Sequence, residues 1–180
     1  TAERLREIFH ELIGQEAACL DLVTPTHFTD AVLEALGHEE WPVPVVWNSG
    51  GYERVETLKT LEGRVQIYLP DLKYYDSALS ARYSAAPDYF AVAAQALREM
   101  FRQVGPVRFD ENGMLQSGMV VRHLVLPGAH KDSLRLLNWL ADNFSPEDIR
   151  LSLMSQYTPP AGIAIRELPV SYTHLRAHET

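Results

Sequence analysis

IYLPDLKYYD, residues 67–76, decides how the chain is read. Three apolar or β-branched positions lead into a proline, which suits the end of a strand better than its middle. Asp71 and Lys73, two residues apart, then fall on one side of the chain, because side chains alternate faces along an extended backbone. A buried strand whose end offers an acid and a base to one spot is the signature of a site built on strand ends. The alternative, a plain strand-end salt bridge, stays open on three residues alone.

Outward from this stretch, strand and helix alternate. Thr1 can cap a helix through RLREIFHELI, with Leu5, Ile8, Phe9 and Leu12 at helical spacing. ACLDLV (18–23) reads as a strand, THFTDAVLEALG as a helix stopped by Gly37, VPVVWNS (43–49) as a second strand and YERVETLKTLEG as a helix ending at Gly63. RVQIYLPDLK is the third strand. After Pro87 a longer helix carries Phe90, Ala93, Ala94, Leu97, Met100 and Phe101 on one face. A hairpin follows, VRFDENGMLQSGMVVRHLVLPG, with Asn112-Gly113 as its turn. HKDSLRLLNWLADNF is another amphipathic helix, SPED offers a Ser cap with Pro at a first helical position, and IRLSLMSQY is the last strand. The hairpin's second arm counts as the fourth, giving five strands with intervening helices.

Such repetition predicts an α/β fold with a parallel sheet and right-handed crossovers, either doubly wound or a β/α barrel. No Gly-rich phosphate loop follows the first strand, and polar residues recur where strands end, which favours a partial, TIM-like barrel with outer helices, incomplete at both ends. The recurring residues are Thr24 and His27, Asn48 and Ser49, Asp71 and Lys73, Arg122 and His123, and Gln156 and Tyr157. His27 is equally a helix-start residue bonding backbone, and Asn48-Ser49-Gly50-Gly51 equally a cap and turn. Arg122 and His123 point to opposite faces, so at most one faces the barrel interior. Lys73 is a candidate Schiff-base amine if burial makes it nucleophilic.

The totals narrow the classes. At 180 residues and 46% hydrophobic content, one domain is expected. Acidic residues outnumber basic ones, 24 to 16, with no basic cluster, which argues against nucleic acid. No apolar run approaches a bilayer span and the N-terminal helix is charged, so a cytoplasmic protein without membrane association is expected. A single cysteine, Cys19, inside an apolar strand start, reads as a small hydrophobe and supplies no metal site. Residues 170–180, VSYTHLRAHET, lose all apolar periodicity and match the translation of a transposase-type sequencing adapter. They are expected to be library read-through, leaving 1–169 as the native piece with its true C-terminus missing.

LVTPTHF, WNSGGYERVETLKTLEGRVQIYLPDLKYYD, YSAAPDYF, MFRQVGPVRFDENGMLQSGMVVRHLVLPG and LSLMSQYTP, in that order, resemble the radical SAM family. The likeness is greatest to the branch related to pyruvate formate-lyase activating enzymes, and it spans residues 1 to about 165. It implies a six-stranded partial barrel, a 4Fe-4S cluster and S-adenosylmethionine cleaved reductively to a 5′-deoxyadenosyl radical. It further implies a glycyl radical enzyme or other protein as partner and an electron donor of flavodoxin or ferredoxin type. By the same resemblance Asp71 and Lys73 would orient S-adenosylmethionine, and TPTH, with Thr24, Thr26 and His27, would stand without a Glu where the family usually has a Gly- and Glu-containing strand end. NSG would line the next strand end, and RHLVLPG would approach the adenosyl group. The family's CxxxCxxC loop has no counterpart here, so this stretch is expected to lack the cluster ligands and to be inactive by itself. A Lys73 aldolase or lyase and a non-catalytic binding module remain the alternative readings.

Overall fold

The computed structural model describes residues 1–157; the expectations for 158–180, the adapter-like tail included, lie outside the described residues. The elements follow the sequence closely. Helix α1 (Ala2–Gly14) is capped by Thr1, whose hydroxyl accepts from the Arg4 amide at 3.3 Å. It leads to β1 (Leu20–Val23), and Pro25 then opens a 3-10 turn (Pro25–Phe28) before α2 (Thr29–Leu36). Next come β2 (Val45–Ser49), α3 (Val55–Thr60) and β3 (Ile67–Pro70). Helices α4 (Ser77–Ser84) and α5 (Tyr89–Val104) precede the hairpin of β4 (Arg108–Phe109) and β5 (Leu115–Leu124), and α6 (His130–Asn143) leads to β6 (Ile149–Met154).

Two expectations fail locally. Helix α4 is absent from the sequence reading because only Ser80 in it is buried, so it shows no apolar face. Asp76 makes it, accepting from the Ala78 and Leu79 amides at 2.8 and 3.3 Å. SPED forms no helix: the Ser145 amide donates to the Asp148 carboxylate and the Asp148 amide to the Ser145 carbonyl, closing a single turn. Strand β6 begins at the next residue and leaves no length for more.

The five parallel strands lie in the order β1-β2-β3-β5-β6, with β4 antiparallel on β5. Each strand is laid beside its predecessor in the sheet, with no reversal of order of the kind that defines a doubly wound sheet. Strand β5 takes β3 on one side and β6 on the other, Met119 pairing with both Tyr68 and Ile149. Among the described residues the sheet does not close into a barrel. Its outer strands leave Val23 on β1 and Leu151 and Leu153 on β6 exposed.

Register sorts the strand residues into two faces. Leu20, Leu22, Val45, Trp47, Tyr68, Met119 and Val121 pack with the helices in the buried core, which Leu58, Leu97, Met100 and Leu136 complete. Asp21, Val46, Asn48, Leu69, Asp71 and Arg122 share the other face. Helix α5 packs against α3, β3 and β5 with its alanines, a small-residue face that lets it lie close to the sheet. Among the described residues no helix is long and apolar enough to cross a membrane.

Candidate functional site

The open face carries a polar row across four strands, from Asp21 within β1 to the C-terminal ends of β2, β3 and β5. Arg122 on β5 is its hub: Nη2 lies 2.7 Å from Asp71 Oδ1 and donates to Asn48 Oδ1 at 2.7 Å. Asn48 in turn donates from Nδ2 to Asp21 Oδ2 at 3.3 Å, and Lys73 Nζ stands 3.7 Å from the other Asp71 oxygen. Two carboxylates and two cations thus balance in charge. The Lys73 pair is loose and Lys73 is 45% exposed, so its amine is free to turn to a ligand. Arg122 Nε is buried with no protein partner, an orphaned donor within the row.

The row borders a cleft of about 490 Å³ lined by Asp71, Lys73, Tyr74, Arg122, Leu124, Leu126, Met154 and Tyr157. Its lining combines the charged Asp71, Lys73 and Arg122 with the apolar Leu124, Leu126 and Met154 and two tyrosines. This mixture suits a ligand that carries both charged and flat or greasy groups. A wider groove of about 590 Å³ lies apart, between the start of α2 and α3, lined by Thr26, His27, Phe28 and Glu56 among others. It contains none of the residues of the polar row.

Three buried groups hold the strand ends. Glu53, in the turn after β2, accepts from Thr26 Oγ1 at 2.6 Å, Trp47 Nε1 at 2.9 Å and Ser49 Oγ at 2.9 Å, joining the ends of β1 and β2. The Tyr89 hydroxyl reaches from α5 to the backbone of Gly50, Asp71 and Lys73. His123 bridges Leu72 O and Ser133 Oγ. A carbonyl only accepts, so Nδ1 carries the proton that meets Leu72 O, and Nε2 meets the Ser133 hydroxyl. Asp132 at the start of α6 accepts from the Tyr75 and Asp76 amides and fixes the rest of the DLKYYD segment.

Of the residues expected at the rim, Asn48, Asp71, Lys73 and Arg122 come together. Arg122 is the member of its pair that faces the cleft side; His123 points into the helix layer, 2% exposed with both nitrogens occupied by protein. Ser49 also turns away, toward Glu53. Thr24 is exposed and holds φ 54°, ψ 47°, a left-handed conformation costing a β-branched residue about 1–2 kcal/mol. Its amide donates to Asn48 O at 2.8 Å, which ties that strained corner to the row. Thr26 is spent on Glu53 and His27 lines the separate groove. Gln156 and Tyr157 lie beyond the end of β6 rather than in it; Tyr157 lines the cleft and Gln156 does not.

Asp21, Glu53 and Tyr89 escape the sequence reading. Asp21 had a readable signal, an acid alternating with the leucines of LDLV, whereas nothing in GGYE or PDYF says which backbone groups those side chains meet. Cys19 sits ahead of β1, at the opposite end of the strand from the rim, and burial together with the Asp21 charge pushes its thiol up. Among the described residues no three His, Cys, Asp or Glu are grouped as metal ligands. The residues therefore do not fit a 4Fe-4S cluster, which needs three thiolates where this chain offers one.

The chain is 26% identical over 137 residues to a Methanocaldococcus jannaschii protein described as uncharacterized. The match covers 75% of this chain and 36% of that protein, so the chain corresponds to about a third of the relative's length. No family model matches, and no solved structure does.

Proposed function

We propose that the chain forms the S-adenosylmethionine-binding wall of a radical SAM protein related to pyruvate formate-lyase activating enzymes. The observation that carries the reading is the charge-balanced row Asp21-Asn48-Arg122-Asp71-Lys73 beside an amphipathic cleft. S-adenosylmethionine has a carboxylate, an ammonium, a sulfonium and a flat purine. Lys73, and the unshared donors of Arg122, suit the carboxylate; Asp71 and Asp21 suit the cationic centres. Leu124, Leu126, Met154, Tyr74 and Tyr157 offer surface to the purine.

The unreversed strand order supports a partial TIM-like barrel, incomplete at both ends. When bound in such a protein, S-adenosylmethionine supplies a hydrogen-abstracting radical on reduction. The reducing cluster finds no thiolate set here, so these residues are assigned binding and orientation only. A glycyl radical enzyme as partner and a flavodoxin or ferredoxin as donor belong to the proposal for the whole protein. The Schiff-base alternative lacks support, because Lys73 is half exposed beside a carboxylate rather than desolvated.

Equilibrium dialysis of labelled S-adenosylmethionine tests the reading. Saturable binding to the chain is expected, weakened about tenfold or more in Asp71→Asn and in Lys73→Met. Binding that both substitutions leave unchanged, or no binding to the folded chain, would overturn it.

A further inference from the structure

Two backbone loops carry Asp71, Lys73 and the Gly50-Gly51 turn, joined at their base by the Asp71 amide donating to the Ser49 carbonyl at 2.9 Å. One phenol ties them further out. Tyr89, 3% exposed at the start of α5, accepts from the Lys73 amide at 3.0 Å and directs its single proton at two carbonyls, Asp71 at 2.8 Å and Gly50 at 3.0 Å. Burial pushes the phenol up, so it keeps that proton through the physiological range. Its ring is stacked on Tyr52 and edge-on to Tyr74, contacts that help to hold it in place.

The turn it meets is built for the contact. Gly51 has φ 74°, and a Cβ there would fall 2.1 Å from the Asp71 carbonyl oxygen. The backbones of the two strand ends therefore touch where the hydroxyl joins them, and only glycine allows that approach. A phenol bonded to three main-chain groups on two strand ends sets the direction in which the next side chains leave the sheet. Those side chains are Asp71 and Lys73.

We infer that Tyr89 is a positioning residue: its hydroxyl holds the ends of β2 and β3 in the one arrangement that presents Asp71 and Lys73 to a ligand in the cleft. It touches no ligand itself. The inference rests on the reading of the cleft as the S-adenosylmethionine site, and its test keeps the two apart.

Tyr89→Phe is compared with wild type and with Tyr68→Phe. Tyr68 is an equally buried phenol whose hydroxyl bonds Gln103 in the helix layer, so its loss reports a buried hydrogen bond remote from the rim. Residue-resolved amide hydrogen exchange is read first, because it needs no ligand. Exchange at Lys73 should accelerate about tenfold or more in Tyr89→Phe and stay unchanged in Tyr68→Phe. S-adenosylmethionine affinity is read second, and should fall about tenfold in Tyr89→Phe alone. Unchanged Lys73 exchange in Tyr89→Phe overturns the inference whatever the ligand does, as does equal loss of affinity in both variants. If wild type binds no S-adenosylmethionine, the ligand assignment fails, and the exchange result alone decides whether the phenol sets the rim.

Discussion

Replacing Glu53 by alanine should cost more stability than any other single change in the loops around the site. The side chain is 3% exposed and takes three hydrogen bonds, from Thr26, Trp47 and Ser49. Truncation leaves the Trp47 indole N–H with no acceptor in a fully buried setting, and frees two hydroxyls, of which Ser49 is also buried. At about 1–3 kcal/mol for a stranded buried donor, with hydroxyl rotation recovering part of the loss, the total comes to about 3–5 kcal/mol. Glu53→Gln behaves differently. Its amide oxygen keeps Thr26 and Trp47, and its NH2 donates to Ser49, whose hydroxyl turns to accept. The expected cost is about 1 kcal/mol, the difference between a charged and a neutral acceptor. Urea unfolding followed by tryptophan fluorescence, with m-values compared, measures both. A Glu53→Ala cost within about 1 kcal/mol of wild type, or equal costs for the two variants, would refute the view that acceptor count at this carboxylate joins the strand ends.

Gly51→Ala should destabilise by about 2 kcal/mol or more, since the left-handed backbone and the contact with Asp71 O both oppose a Cβ, whereas Gly63→Ala, at φ 77° with open space around it, should lose only the backbone part, about 1 kcal/mol; parallel thermal melts compare them. Arg122→Met strands Asp71 and Asn48 but at a partly exposed site, so stability should fall by only about 1 kcal/mol while S-adenosylmethionine affinity falls about tenfold, read by calorimetry. The Arg102 guanidinium on Glu99, aided by Gln103, draws that carboxyl from its ordinary 4.5 down to about 2. A depressed folded-state value means stability that is present above pH 4.5 and lost as pH falls toward 2. The gap in urea midpoint between wild type and Glu99→Gln should therefore be constant above pH 5 and close below about 4.5; a gap that persists at pH 2 would contradict this.

The features that set the fold were legible because they are periodic or local. The cap at Thr1, the Asn112-Gly113 turn and the alanine-lined face of α5 each follow from a short window of sequence. Helix α4 was not legible by periodicity, since it is held by Asp76 at its start rather than by a buried stripe. Of the rim, Asp71 and Lys73 stood out through their spacing, and the Arg122/His123 choice was resolved only by register, Arg122 pairing with Asp71 across the sheet. Glu53 and Tyr89 were out of reach for a physical reason. Their roles lie in contacts with main-chain atoms and side chains 4 to 39 residues away, and no local pattern encodes a partner of that kind.

The most direct measurement is an amide-resolved NMR titration of the chain with S-adenosylmethionine. Saturable shifts confined to residues 21, 48–51, 71–74, 122–126 and 154–157 are predicted, with 36–41 at the opposite end of the sheet unmoved. Shifts centred on the groove at Thr26, His27 and Glu56, or none at any concentration of ligand, would contradict the assignment of the polar row as the binding wall.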